Sequence, residues 1–351
     1  NYAECNYRFN CPGSNYYRCG CPYSRKRIGG HGMKAKKIFE EIKSSKVFYS
    51  LVGLIVLIIL SAIIAPNFRT VDNLITIFRQ ASVLLVLSAG LTAVLLTGGM
   101  DLSVGATAGF IGCICARLLK AGVSIPVAFL IGILIGMVVG CINGLLAGIL
   151  PSFIATYGTN WVMSGLAVIV MQGAVIYDLP KGFTQISVGY TGPIPNLIII
   201  AMIVVIIIYV LLQRTTYGRQ VYSYGSNPLA AKYAAIPVKK IMISAFMMCS
   251  MCAGVAGMLI TARLNAADAA MGDSYGLQTV AAVVIGGTSM LGGEGGVLGT
   301  VIGSLILTII VNVMNLKGIS SFAQGLVVGI VIIAMVLFDT YTKRRQERNA
   351  A

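Results

Sequence analysis

The sequence predicts an all-α polytopic membrane protein of about ten transmembrane helices, some broken by glycine-rich stretches, with both termini in the cytoplasm. Three observations predict it. Of 351 residues, 57% are hydrophobic and only 11% charged, where soluble domains carry about 25% charged residues; mean hydropathy is +0.87. The apolar residues fall in runs near the roughly 20 residues that a helix needs to cross a bilayer. The charge is clustered: residues 1–46 hold ten basic residues against three acids, 213–240 five against none, and 341–351 four against one. These three segments account for the whole net charge of +15, and the positive-inside rule places them in the cytoplasm. The 41 glycines show no collagen-like period and sit within apolar runs, as in packed membrane helices. Multidomain soluble, fibrous, disordered and nucleic-acid-binding readings fail for want of polar surface. Contact of the basic segments with anionic lipid headgroups fits the pattern, so membrane lipid is an expected partner and nucleic acid is not.

Residues 1–32 differ from the rest. They hold Cys5, Cys11, Cys19, Cys21 and the single histidine, His31, without apolar periodicity. The cysteine spacing fits no zinc pattern, and a cytoplasmic segment does not favour disulfides. Gly29-Gly30 before His31-Gly32-Met33 can be encoded by GGAGG just upstream of the Met33 codon, a ribosome-binding sequence. Residues 1–32 are therefore expected to be translated leader, followed by a basic cytoplasmic N-terminus over 33–46. A transmembrane domain over 47–340 and a basic tail over 341–351 complete the division. Cys113, Cys115, Cys141, Cys249 and Cys252 lie in apolar runs and read as small buried hydrophobes. No metal or cofactor is expected.

The expected spans, in order, are 47–65, 74–97, 102–120, 125–149, 153–176, 195–212, 241–262, 278–291, 297–315 and 321–339. Ten crossings from an internal N-terminus return both 213–240 and the C-terminus to the basic side. Lys34–Lys46 resembles the start of a secretory signal, but the apolar run after it is long enough for an uncleaved anchor. The expected external loops are 66–73, 117–124, 177–194, 263–277 and 316–320, none large enough for a soluble domain.

Two stretches interrupt the apolar runs. The first is Thr97-Gly98-Gly99-Met100-Asp101-Leu102-Ser103-Val104-Gly105, and the second runs from Ile285-Gly286-Gly287 to Gly295-Gly296. Each follows a similar run, Ala93-Val-Leu-Leu and Ala282-Val-Val-Ile, which suggests an internal duplication. Non-helical backbone at membrane depth persists only where protein or water covers it. A carboxylate at mid-membrane costs about 2.5–3.5 kcal/mol on insertion scales. Asp101 therefore lies near an interface or caps a helix that begins at Leu102; contact with a substrate or a coupling proton is the alternative.

The loop 213–240 reads as a connector with its own short helix. Asn227 suits the N-cap, Pro228 the first helical position, and Pro237 ends it. Leu229, Ala230, Tyr233 and Ala234 would give that helix an apolar surface suited to a partner's groove; the plain reading is a surface loop.

Several stretches together resemble the permease subunits of bacterial ABC importers of the ribose/xylose/galactose branch. They are Gly98-Gly-Met-Asp-Leu-Ser-Val-Gly105, Asn143-Gly-Leu-Leu146, Phe153-Ile-Ala-Thr-Tyr-Gly158, Gly225-Ser-Asn-Pro-Leu-Ala-Ala231, Ala281-Ala-Val-Val-Ile-Gly-Gly-Thr-Ser289 and Asn312-Val-Met-Asn-Leu316, colinear over roughly residues 50–340. The resemblance implies a second, identical permease subunit, a cytoplasmic ATP-binding subunit dimer and an extracytoplasmic sugar-binding protein. It implies a bacterial inner-membrane location. It also makes Asn227, Pro228, Leu229, Ala230, Ala231 and Tyr233 the helix on which the ATPase docks. Two departures leave the sugar open: Gly276-Leu277-Gln278 stands where the family usually has Glu-Leu-Asp, and Asn160 where it has an apolar residue.

The chain contains no G-x4-G-K-[ST] phosphate loop and no Ser/His/Asp or Cys/His constellation. It is read as a transport subunit, not an enzyme, with ATP hydrolysed by a separate protein. The rival reading, a secondary transporter driven by an ion gradient, would want intramembrane ionisable residues, and the chain offers chiefly Arg79 and Asp101. Side chains expected to line a path are Asn143, Thr159, Asn160, Trp161, Gln172, Asn312, Asn315 and Gln324. Each is also a natural helix–helix hydrogen-bond partner, and Trp161 a natural interfacial anchor.

Overall fold

In the computed structural model the described residues are 46–320, 323–331, 333, 334 and 337. The expected leader 1–32, the basic N-terminus to residue 45, the tail 341–351 and much of the span 321–339 lie outside them. Twelve helices are delimited within the described residues: α1 (Lys46–Ile64), α2 (Val71–Leu96), α3 (Val104–Lys120), α4 (Ile125–Ala147), α5 (Ser152–Met171), α6 (Lys181–Val188), α7 (Asn196–Arg214), α8 (Thr216–Ser226), α9 (Pro228–Tyr233), α10 (Val238–Leu264), α11 (Tyr275–Ile285) and α12 (Val297–Leu316). Residues 323–331 are helical again. Six of these, α2, α4, α5, α7, α10 and α12, are long and apolar enough to cross a membrane. Shorter apolar helices cover Phe48–Ile64 and Tyr275–Ile285. The all-α expectation needs one amendment. Two ladders of two-residue strands pair Ile176 with Ala267 and Tyr190 with Pro195.

The bundle has a centre and a periphery. In their most apolar stretches α2 and α10 are 67% buried, whereas α4, α5 and α7 are 28% buried. An amphipathic stripe cannot explain helices that are apolar all round; on α4 what separates the inner face from the outer is side-chain size. On α4, Gly132, Gly136, Gly140 and Gly144 recur every fourth residue. A Cβ at Gly136 would meet the Ser250 carbonyl group, and one at Gly144 would meet Ile243 Cα at 2.6 Å. Small residues on one face let the α4 and α10 backbones touch, and in a bilayer such close packing replaces the hydrophobic effect as the cause of helix association. The opposite face of α4 exposes Val127, Leu130, Leu134 and Val138.

Polar residues pin the remaining joints. Arg69 ends the 3-10 turn Pro66–Arg69 and donates from Nε and Nη2 to the Ala62 carbonyl, at 3.0 and 2.6 Å, satisfying a carbonyl in the last turn of α1. Thr70 Oγ1 accepts from the Asn73 amide at 3.3 Å and caps α2. Asn73 and Asn312 exchange side-chain hydrogen bonds of 3.1 and 2.9 Å, clamping α2 to α12. Arg79 lies with its guanidinium carbon 5.0 Å from the Tyr190 ring centroid.

Several boundaries differ from the sequence expectation, each for a local reason. Span 153–176 stops at Met171, because Gln172 adopts the left-handed conformation and its amide donates to the Val168 and Ile169 carbonyls. Span 278–291 is an eleven-residue helix, α11, that begins three residues earlier and ends at Ile285. The connection 265–274, expected as part of an external loop, folds back into the bundle. Gly272 is buried, and its missing Cβ would meet the Gly105 carbonyl oxygen and, at 3.0 Å, the Gly109 amide of α3. The loop 177–194 holds α6, whose Ser187 Oγ donates to the Leu259 carbonyl of α10 at 2.9 Å. The connector 213–240 contains two helices, α8 and α9, instead of one.

Candidate functional site

The two interrupted runs fold alike. At each, a glycine with positive φ ends the helix, Gly98 at 77° and Gly287 at 86°. The amides of Gly98 and Gly99 donate to the carbonyls of Leu95 and Val94; those of Gly287 and Thr288 donate to Val284 and Val283. Both endings have the paired 5→2 and 6→1 bonds of the Schellman motif, in which a left-handed glycine releases the chain sideways while the last carbonyls stay satisfied. The same paired bonds also end α3 at Gly122 and α12 at Gly318, so the motif is a general helix stop and does not bear on the suspected duplication.

The two breaks also meet. The Gly293 amide donates to the Leu96 carbonyl at 2.9 Å, and a Cβ on Gly292 would lie 2.7 Å from the Gly98 amide nitrogen. Into this junction comes the end of α8. A Cβ on Gly225 would overlap the Leu96 carbonyl oxygen, and one on Gly293 would lie 2.8 Å from Ser226 Cα. Tyr222 Oη donates to the Gly295 carbonyl at 2.8 Å and accepts from Gln213 Nε2 at 2.7 Å. Of the remaining break residues, Gly99 faces Val94 and Phe246, and Gly286 packs backbone-to-backbone on Gly299.

The first break is stapled to α4 and α5 by a polar chain. Asp101 is fully buried, and its Oδ1 accepts from the Ser103 amide at 2.9 Å and from Ser103 Oγ at 2.6 Å. Asn143 Nδ2 donates to Ser103 Oγ at 2.8 Å, and Thr159 Oγ1 donates to Asn143 Oδ1 at 2.7 Å. The Met100 and Leu102 amides donate to Ser152 Oγ and Thr156 Oγ1 at 3.0 and 3.1 Å. Asp101 organises the turn before α3, which begins at Val104 and not at Leu102. Ser103, Asn143 and Thr159 thus form a chain of hydrogen bonds from Asp101 Oδ1 to α5 that holds the broken backbone in place, while Asp101 Oδ2 is buried without a hydrogen-bond partner.

Immediately after Ser226 comes α9. Asn227 Oδ1 accepts from the Ala230 amide at 3.0 Å and Pro228 occupies the first turn. The helix ends at Tyr233, shorter than the two turns expected. Leu229 is 68% and Tyr233 88% exposed, with Ala230 beside them; Ala231 is 3% exposed and faces its own chain.

Two further pockets carry polar side chains: one of about 280 Å³ holds Ser164, Asp268 and Asp273, and one of about 370 Å³ lies between α2, α10, α11, α12 and residues 324–328. Gln80, Arg263, Ser274, Gln278, Thr308 and Gln324 supply the polar lining of the larger one. Gln80 Oε1 is buried without a hydrogen-bond partner, as are Asp101 Oδ2, Thr107 Oγ1 and Ser304 Oγ elsewhere in the bundle. Of the side chains expected to line a path, only Gln324 reaches this cavity; its Nε2 donates to Asn315 Oδ1 at 2.7 Å, which places Asn315 behind it. Asn143 and Asn312 serve as helix clamps, and Gln172 is exposed at the end of α5. Trp161 is 66% exposed at the end of an outward ladder of rings with Phe153 and Tyr157, and half-buried Asn160 precedes it. Gln80, Arg263 and Thr308 escaped the sequence reading because single polar residues in apolar helices carry no periodicity. Gln278 stood out only as a departure from a family pattern.

Residues 73–336 match the family described as branched-chain amino acid transport system / permease component. The chain belongs to this family. Among the permease's relatives, the ribose import permease protein RbsC of Haemophilus influenzae is 37% identical over 83% of this chain and 92% of its own length. RbsC of Bacillus subtilis is 39% identical over 82% and 90%. The D-allose transport system permease protein AlsC of Escherichia coli is 35% identical over 81% and 88%. No solved structure matches the permease.

Proposed function

We propose that the chain is the transmembrane permease subunit of an ATP-driven ABC importer and forms the path for a monosaccharide. The observation that carries the sugar reading is the polar cavity. Its described lining offers amides, hydroxyls and one guanidinium, and no carboxylate. Amides and hydroxyls donate to and accept from the hydroxyls of a sugar, and the Arg263 guanidinium can donate to them as well, whereas an amino acid zwitterion also needs an anion for its ammonium group. Ribose and allose, named for the relatives, are uncharged polyols of the kind such a lining would hold. At about 370 Å³ the cavity lies within the roughly 300–1,000 Å³ usual for small-molecule sites.

In this reading the permease works with a second permease subunit of the same sequence, a cytoplasmic ATP-binding subunit dimer on α9 and an extracytoplasmic binding protein that delivers the sugar. Leu229, Ala230 and Tyr233 form the docking face, with Asn227 and Pro228 shaping the helix. Closure of the ATP-binding subunits moves α9, the end of α8 follows, and the junction of Leu96, Gly98, Gly292 and Gly293 shifts with it. Asp101, Ser103, Asn143 and Thr159 keep the first break rigid during this movement. The cavity then opens alternately to either side.

Reconstituted alone, the permease should show neither ATP hydrolysis nor uptake. Adding its ATP-binding subunit and binding protein should give ATP-dependent sugar uptake in vesicles. Uptake by the lone permease under a proton or sodium gradient would transfer the assignment to the secondary-transporter class.

The ten-span path with both termini in the cytoplasm goes with this function, because it places α9 where ATP is. Reporter fusions after Lys240 should read cytoplasm and fusions at Lys181 the outside. A cytoplasmic signal at Lys181 would overturn that path.

A further inference from the structure

A third cavity, of about 430 Å³ and almost wholly apolar in lining, opens on the bundle surface between α4, α7 and α10. One wall is the face of α7 that carries residues 204, 207, 208 and 211; the other is the face of α10 from Ser244 to Val255, which includes three methionines. The methionines give a deformable wall suited to a flexible occupant. At one end the groove closes on a polar pair, Ser244 Oγ lying 3.1 Å from Tyr217 Oη.

That same end carries charge. Arg214 follows Leu211 by three residues, and Lys240 precedes Ser244 by four, so each continues its helix's groove face by one turn. Both are exposed. The entire connector 213–240 contains five basic residues and no acid, so no carboxylate in it neutralises this pair. An apolar trough that faces outward from a membrane helix bundle, with two cations and two hydroxyls at a single end, has the charge pattern of a phospholipid: acyl chain along the trough, phosphate at the end. We infer that the groove between α4, α7 and α10 is a binding site for an anionic phospholipid, with one acyl chain in the trough and the headgroup phosphate between Arg214 and Lys240. The inference rests on the chain's membership of a membrane permease family and not on which solute it carries. Because Arg214 directly precedes the turn into α8, an occupied site would steady the elbow that leads to α9.

The probe is phosphatidylglycerol with a photoreactive group in its acyl chain, compared with phosphatidylcholine carrying the same chain, each added to the full-length permease in vesicles. Phosphatidylglycerol should label peptides from α7 and α10 at roughly ten times the phosphatidylcholine level, since each cation near the headgroup strengthens anionic lipid binding. The double variant Arg214→Gln, Lys240→Gln, altered only at exposed side chains, should bring the two lipids to the same level. Met251→Trp, which fills the trough, should reduce labelling by both. Equal labelling by the two lipids in the unaltered protein would overturn the site, as would labelling that ignores the double variant. Protection of α7 and α10 from both lipids, with cross-links to a second protein chain in their place, would also overturn it and assign the groove to a protein interface.

Discussion

Replacing Ala230 with glutamate should strip the ATP-binding subunits from the permease while leaving the permease folded. Ala230 lies between Leu229 and Tyr233 on the exposed face of α9. In the free chain a glutamate there stays in water and costs little. In the docked complex it becomes an unpaired charge in an apolar contact, and an uncompensated buried charge of that kind costs about 3–5 kcal/mol. At about 1.4 kcal/mol per tenfold, the affinity should fall by roughly two to three orders of magnitude. Co-purification of the ATP-binding subunit should be lost and ATP-dependent uptake with it, while the thermal midpoint of the isolated permease stays within a degree or two. A variant that still binds its ATPase and transports normally would show that α9 is not the docking helix. Ala231→Glu is the informative contrast. That side chain is buried against its own chain, so the substitution should lower the stability of the permease itself.

Replacing Gly225 with valine should produce the opposite separation, with docking retained and transport lost. The end of α8 approaches the first break so closely that any Cβ at Gly225 would overlap the Leu96 carbonyl oxygen and come 2.5 Å from the Gly293 amide nitrogen. The Leu96 carbonyl already accepts the Gly293 amide, so a side chain there must displace the bond that joins the two breaks. Overpacking of this kind typically costs about 1–3 kcal/mol, paid in this case at the junction through which α9 connects to the bundle. The exposed face of α9 is not touched. ATPase co-purification should therefore survive, stimulated uptake should drop at least tenfold, and the remaining ATP hydrolysis should no longer respond to binding protein and sugar. Normal uptake would place the transmission route elsewhere. Loss of docking and uptake together would mean that α9 and the junction form a single rigid unit.

Much of the fold is legible in the sequence because the bilayer imposes a simple rule. A helix in lipid must satisfy its own backbone, so runs of apolar residues map directly onto helices. α4, α7 and α12 appear within a few residues of their expected spans. The cap and start of α9 were equally legible, because Asn227 and Pro228 act through local backbone geometry. Periodicity did not reveal the inside-outside arrangement. α2 and α7 are both strongly apolar, yet one is central and the other peripheral. Hydrophobicity that favours protein and lipid alike carries no direction. Nor did it reveal the return of residues 265–274 into the bundle, since the buried Gly272 looks like any loop glycine until Gly105 is opposite it.

The candidate site divides along the same line. Gly98, Asp101 and Gly287 are conspicuous in sequence, because glycine pairs and a carboxylate interrupt otherwise unbroken apolar runs. The roles of the expected polar residues were not conspicuous. Asn143 and Asn312 turned out to be clamps, Trp161 an outward-facing ring, and only Gln324 reaches the polar cavity. Whether an amide lines a path or locks two helices depends on its partner, and the partner is 239 residues away for Asn312 and 40 for Asn143.

The sequence by itself determined that this chain is a multi-pass membrane protein with a short capped helix in its basic connector. Those properties follow from hydropathy, charge placement and local capping, which act within a few turns of chain. Only the tertiary structure decided that the two glycine breaks touch, that Gly225 wedges against them beside α9, and that Gln80, Arg263, Gln278 and Gln324 share one cavity. Each of these is a meeting of backbones or side chains far apart in sequence, set by how closely glycine lets helices approach, and no local pattern encodes which glycine faces which.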